Sequence, residues 1–146
     1  MAYKQNLDLM DLKKLARRLA SNARKKGLII GLSGPLGSGK TTFAKAFALS
    51  LKINNLKSPT FIISQRYPFL ERYLYHLDLY RLTNELQLTD LGLEEIFNHE
   101  NVVLIEWIDK FPKLMKKCDL IISFKVKPNN KRDVQINSKW RITNLG

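Results

Sequence analysis

Residues 34 to 41 read Gly34-Pro35-Leu36-Gly37-Ser38-Gly39-Lys40-Thr41, the spacing G-x-x-x-x-G-K-[ST]. Each residue type has a chemical use in that order. Glycines let the backbone curl until several N–H groups point into one anion-sized nest. The Lys40 ammonium reaches the outer phosphates of a nucleotide, and the Thr41 hydroxyl ligates Mg²⁺. Gly34, Gly37, Ser38, Gly39, Lys40 and Thr41 are therefore the expected phosphate-binding residues. Pro35 lacks a backbone donor, which is tolerated because the amides that matter lie later in the loop.

Such a nest requires a strand before it and a helix after it, because the helix N-terminus adds partial positive charge. Leu28 to Leu32 reads as a buried strand. Phe43, Ala44, Phe47, Ala48 and Leu51 recur at helical spacing over Thr41 to Leu51. The metal needs a further hard oxygen, and the natural source is an acid at the end of a neighbouring buried strand. Val102-Val103-Leu104-Ile105 delivers Glu106 in that way. Mg²⁺ keeps several waters, so Thr41, Glu106 and the nucleotide phosphates suffice. Asp78 is a second candidate. Period-two alternation puts His76 and Asp78 on one strand face and Leu77 and Leu79 on the other. An Asp there would orient the attacking water or a metal-bound water; the same spacing also describes the polar side of a half-buried strand. His76 could assist. Ser58-Pro59-Thr60 follows the loop's helix, and a Thr60 hydroxyl there could sense Mg²⁺ or the γ-phosphate. Asn130-Lys131-Arg132-Asp133 matches N-K-x-D, but no D-x-x-G completes a GTPase set, so it reads as a turn.

The surrounding elements are legible from periodicity. Leu9, Leu12, Leu15, Ala16, Leu19, Ala20 and Ala23 mark one face of a helix over about 9–25, ended by Gly27. The runs 60–67 and 73–79 read as a hairpin turning at Pro68-Phe69-Leu70-Glu71. Residues 84–98 read as one or two short helices broken near Gly92, and 114–118 as a helical turn. Segments 119–126 and 133–137 form a terminal hairpin around Pro128-Asn129-Asn130-Lys131. The expected architecture is α/β: a mixed sheet flanked by helices in an α/β/α sandwich, as in phosphate-loop NTPases. The length of 146 residues predicts a single domain over 1–146.

Composition narrows the class further. No apolar run approaches the ~20 residues that span a membrane, and the polar start does not read as a signal peptide. A lone cysteine, Cys118, excludes an internal disulfide framework and fits a reducing cytoplasm. The net charge of +12 suits nucleotides, RNA or acidic protein surfaces, or equally a set of solvated faces.

With these residues assembled, the chain resembles the TsaE family (formerly YjeE). The resemblance rests on residues 34–43, Lys57-Ser58-Pro59-Thr60-Phe61 and His76-Leu77-Asp78-Leu79-Tyr80-Arg81-Leu82. Leu91-Gly92-Leu93-Glu94-Glu95 and Glu106-Trp107 complete it. It departs at Pro35, where the family usually has Asp, and at Lys131, where a Gly usually precedes the late Arg. The resemblance implies a slow, partner-dependent ATPase using ATP and Mg²⁺. Such proteins support threonylcarbamoylation of an adenosine in tRNAs reading ANN codons. They dock on the TsaD–TsaB pair, which performs the transfer, and they meet tRNA through that complex. It further implies that Lys40 and Thr41 take phosphate and Mg²⁺, and that Glu106 takes Mg²⁺. Thr60 and Asp78 act in switching and hydrolysis. Thr42, Trp107 and Arg132 join the nucleotide site, and the segment near Asp8 covers the adenine. Two other readings of the residues stay open. One is a small-molecule kinase with Arg66, Arg72 and Arg81 as lid charge. The other is a non-hydrolysing nucleotide-gated module or direct RNA binder.

Overall fold

The computed structural model describes residues 2–57 and 63–139. Thr60, with Ser58 and Pro59, lies outside the described residues. Seven strands form one sheet. In chain order they are β1 (Ala2–Leu7), β2 (Leu28–Ser33), β3 (Ser64–Phe69), β4 (Arg72–Asp78), β5 (Val102–Glu106), β6 (Leu120–Lys127) and β7 (Lys131–Ser138). Their spatial order is β1-β7-β6-β2-β5-β4-β3. The central strands β6, β2, β5 and β4 run parallel, and the outer pairs β1/β7, β6/β7 and β3/β4 are antiparallel. The parallel strands are buried on both faces, which is why β2 and β5 read as near-continuous apolar runs.

Helices α1 (Leu9–Ala23) and α2 (Lys40–Ser50) cover one face. Their buried side chains pack on Ile30, Leu32, Leu104, Ile122 and Val134 in the larger core. The other face carries α3 (Leu86–Thr89), α4 (Leu93–Ile96), a 3-10 turn at Ile108–Lys110 and α5 (Pro112–Met115). Leu77, Leu79, Val103, Ile105, Ile108 and Phe111 form the core there. The architecture is thus the expected mixed-sheet α/β/α sandwich. No helix among the described residues is long and apolar enough to cross a membrane.

Several local expectations change. The predicted apolar stripe of α1 includes Leu9, yet Leu9 is exposed while Leu12 through Ala23 bury theirs. Leu9 follows directly on Asp8, which caps α1 in a reciprocal capping box with Asp11, so it sits before the helix reaches the sheet. Nor does Gly27 end α1. The helix stops at Ala23, where the Arg72 guanidinium of β4 donates to the Ala23 and Arg24 carbonyls. Gly27 is instead a close-approach glycine: a Cβ there would lie 2.4 Å from the His99 carbonyl oxygen. Pro68 and Phe69 belong to β3, and the turn is Leu70-Glu71 alone, with Leu70 at φ +51°. An edge strand accommodates Pro68 because its missing N–H faces no further strand.

The polar start holds a strand that periodicity does not show. β1 pairs with β7, and the Asp133 carboxylate ties it down by accepting from Tyr3 Oη and Asn6 N, both at 3.0 Å. This occupies the acid of the N-K-x-D pattern, while Asn129 and Asn130 make the β6–β7 turn with positive φ. Cys118 is buried, and burial pushes its thiol up to about 12.

Candidate active site

Strands β2, β4 and β5 end together at one edge of the sheet. Parallel sheets bind ligands in such crevices outside the carboxyl ends of their strands. Residues 34–39 leave β2 and turn into α2, and Gly39 caps that helix. Its φ of +109° suits only glycine, and a Cβ there would come within 2.5 Å of Leu12 Cδ1. Gly34 is likewise at positive φ, with Phe124 and Ser38 packed against it. The loop borders a pocket of about 520 Å³. That volume lies within the range that holds a small-molecule ligand.

The structure brings most of the expected residues to this pocket. Gly37, Ser38, Gly39, Lys40, Thr41, Thr42, Asp78, Glu106, Trp107 and Arg132 all line it. Gly34, the first residue of the loop, is not among the lining residues, and its carbonyl accepts from Lys40 Nζ. Lys40 also lies 3.4 Å from the centroid of the Trp107 ring, a cation–π contact. Burial lowers the Lys40 pKa, and the nearby Glu106, Asp109 and Asp78 charges oppose that shift. Trp107 directly follows β5 with φ +63°, in the left-handed region. It packs against Tyr80, ring centroids 5.0 Å apart. A non-glycine residue held in that region carries a backbone cost.

Glu106 is 3% exposed and reaches in two directions. Its Oε2 lies 2.6 Å from His76 Nε2, and its Oε1 lies 3.5 Å from Thr41 Oγ1. These two neighbouring hard oxygens, one from α2 and one from β5, suit a Mg²⁺ that keeps its other waters. Among the described residues no cluster of three or more His, Cys, Asp or Glu could cage a metal alone. Buried polar atoms without partners mark the anion side: Ser38 Oγ and Arg132 Nε and Nη1. Arg132 is 6% exposed, and its guanidinium borders Gly39. A buried cation with unpartnered donors is costly unless an anion completes it. The residues present therefore fit a phosphate-bearing ligand with Mg²⁺.

Asp78 stands beside Glu106, the two being register partners on β4 and β5. Its Oδ1 accepts from Tyr80 N at 3.0 Å. Burial raises its pKa first, and the Glu106 charge adds to that; the Tyr80 amide, His76 and Lys40 oppose it. A carboxyl raised in the folded state costs stability once it ionises. Asp78→Asn is therefore expected to match or exceed the parent's thermal midpoint at neutral pH. That gain should fade as pH falls below the ordinary carboxylate range. Melting curves between about pH 4 and 8 check this, and a variant less stable at neutral pH would contradict the sign.

Sequence reasoning undervalued His76, which is fully buried against Glu106 rather than on a solvent face. Its signal was present: a histidine two residues before an acid on the same strand face. Tyr80, Leu36 and Leu9 also line the pocket; the first two stood within quoted motifs, while Leu9 was read only as part of the helix stripe. Of the three arginines considered for a kinase lid, Arg72 is spent on the α1 carbonyls and Arg66 stacks on Tyr73. Only Arg81 lines the pocket.

Comparison with known proteins agrees with the fold. A family model described as threonylcarbamoyl adenosine biosynthesis protein TsaE matches residues 7–134. The tRNA threonylcarbamoyladenosine biosynthesis protein TsaE of Haemophilus influenzae is 30% identical over 135 residues, 92% of this chain and 83% of that protein. The Bacillus subtilis protein of the same description is 38% identical over 122 residues, 83% of this chain and 76% of its own length. The Aquifex aeolicus one is 37% identical over 132 residues, 88% and 90% respectively. The crystal structure of Bacillus subtilis YdiB superposes with a TM-score of 0.70 at 30% identity, covering 94% of this chain and 84% of that one.

Proposed function

Since the chain belongs to the TsaE family of threonylcarbamoyl adenosine biosynthesis proteins, we propose that it is a Mg²⁺-dependent ATPase that docks on a TsaD–TsaB pair. In this reading, hydrolysis resets that pair between rounds of tRNA modification. The observation that supports it best is the convergence of Lys40, Thr41, Glu106 and the unpartnered Arg132 donors on one pocket.

The division of labour follows from position. The loop amides, Lys40 and Arg132 bind the phosphates, with Ser38 Oγ as a further donor. Thr41 and Glu106 hold Mg²⁺, which supplies Lewis-acid polarisation of the phosphoryl oxygens when bound. His76 holds Glu106 Oε2, so that Oε1 faces Thr41. Asp78 orients a water for in-line attack on the γ-phosphorus. The new P–O bond forms as the bond to the bridging oxygen breaks, releasing ADP and phosphate. A raised pKa brings the Asp78 carboxyl closer to accepting the water's proton. Trp107 is positioned to report nucleotide arrival by fluorescence, because Lys40 must leave its ring to reach a phosphate. Thr60 keeps the switch role that the family resemblance implies.

Phosphate release from Mg·ATP tests the reading, measured with and without a TsaD–TsaB pair from the same source. Release that rises with the pair is expected. No release in either condition, with a Trp107 fluorescence change on adding ATP, would replace the ATPase by a nucleotide-gated binding module.

A further inference from the structure

We propose that the groove between α1 and α2 is a docking surface for an acidic segment of a protein partner that seats an apolar side chain between the two helices. The inference rests on the partner docking proposed above and assigns it a surface and a chemistry.

The groove encloses about 880 Å³ and is built from two facing helical stripes. On α1 the stripe runs Leu9, Lys13, Arg17, Ser21 and, just past the helix, Arg24. On α2 it includes Lys45, Ala46 and Leu49. Spacings of three and four residues put each set on one side of its helix. The charge is of one sign: Lys13, Arg17, Arg24 and Lys45 line the groove, and no acidic residue does. Arg24 closes one end by donating to the Ser50 carbonyl at 2.7 Å. Among the described residues no ion pair takes Lys13, Arg17 or Lys45.

Apolar side chains share the lining with these cations. Leu49 is 62% exposed and Leu9 47% exposed, whereas the other leucines of α1 are buried. Carboxylates complement the cations, and an aliphatic or aromatic side chain complements Leu9, Ala46 and Leu49. RNA matches this surface less well. Single strands are held by stacking bases on aromatic side chains, and no aromatic residue lines the groove. Continuity with the nucleotide pocket supplies a third argument. Leu9 and Thr42 line both cavities, so a segment seated in the groove abuts the wall of the nucleotide site.

The test measures binding of the full chain to a TsaD–TsaB pair in Mg·ATP, and to unmodified tRNA in parallel. The triple variant Lys13→Glu, Arg17→Glu, Lys45→Glu is expected to bind the pair about tenfold more weakly or worse. Its partner-free ATP turnover and unfolding midpoint should match the parent. A control, Lys116→Glu, Lys117→Glu, Lys125→Glu, changes the net charge equally on other exposed surface. It should keep parental affinity within about threefold. Leu49→Ser, at an exposed position with little bearing on folding, should weaken the pair several-fold and leave any tRNA binding unchanged. The proposal is overturned if the groove triple binds the pair as the parent does, or if the control loses as much. Loss of tRNA binding with the pair retained also overturns it and makes the groove an RNA surface. If the parent itself fails to bind the pair, the docking reading falls and takes the groove with it.

Discussion

Replacing Lys40 by alanine should reduce Mg·ATP turnover by at least about 10²–10³-fold, the scale on which one preorganised charge at the developing oxyanion contributes. Lys40 is 5% exposed and meets only the Gly34 carbonyl and the Trp107 face among neutral groups. Neither contact replaces the water that burial removes, and its pKa falls accordingly. The ammonium is thus held at a cost that an arriving phosphate would offset. Its removal therefore strikes function and spares the fold. The alanine variant should unfold at or above the parent's urea midpoint while phosphate release drops to the blank. The Trp107 emission should also shift in the ligand-free variant, since the cation leaves its face. A variant that hydrolyses Mg·ATP at the parental rate would remove Lys40 from the site.

The second large effect is expected at Glu106, where two substitutions separate metal binding from packing. Glu106→Gln keeps the shape and a hydrogen bond to His76 but loses the anionic oxygen facing Thr41. Turnover should fall by about 10²-fold or more, with the Mg²⁺ dependence displaced to higher concentration. Nucleotide binding without metal should be nearly unchanged. Glu106→Ala has a further consequence. His76 is fully buried, its Nδ1 has no partner, and Glu106 is its ring's hydrogen-bond partner. Stranding both ring nitrogens should cost about 1–3 kcal/mol of stability, read as a lower urea midpoint that the glutamine variant does not share. Parental Mg²⁺ dependence in Glu106→Gln would rule out Glu106 as a metal ligand.

These expectations draw on two kinds of information. The phosphate loop was legible in sequence because its chemistry is local. Gly34 through Thr41 are consecutive, and the strand before and helix after them announce themselves by an apolar run and a 3.6-residue period. The buried strand ending in Glu106 and the His76–Asp78 alternation were readable for the same reason. Each is a property of a few adjacent residues, and both faces of the central sheet are covered, so their apolar content is high. The arrangement of layers followed from that pattern.

What the sequence by itself determined about this protein is therefore the glycine-rich loop between β2 and α2, its family and the elements that carry its acids. The tertiary structure alone decided which side chains meet. The β4–β5 register puts Asp78 beside Glu106 and lets His76 reach the Glu106 carboxylate from two residues earlier. Antiparallel pairing of β7 with β6, itself beside β2, brings Arg132 to Gly39 across more than ninety residues of chain. β1 owes its existence to backbone pairing with β7 and to Asp133, so its polar residues carry no strand period of their own. Leu9 turned outward because α1 meets the sheet only from Leu12 onward. The physical reason is common to all four. Strand register and layer packing are long-range contacts, set by the summed burial and hydrogen bonding of the whole sheet, and no short window of residues encodes them.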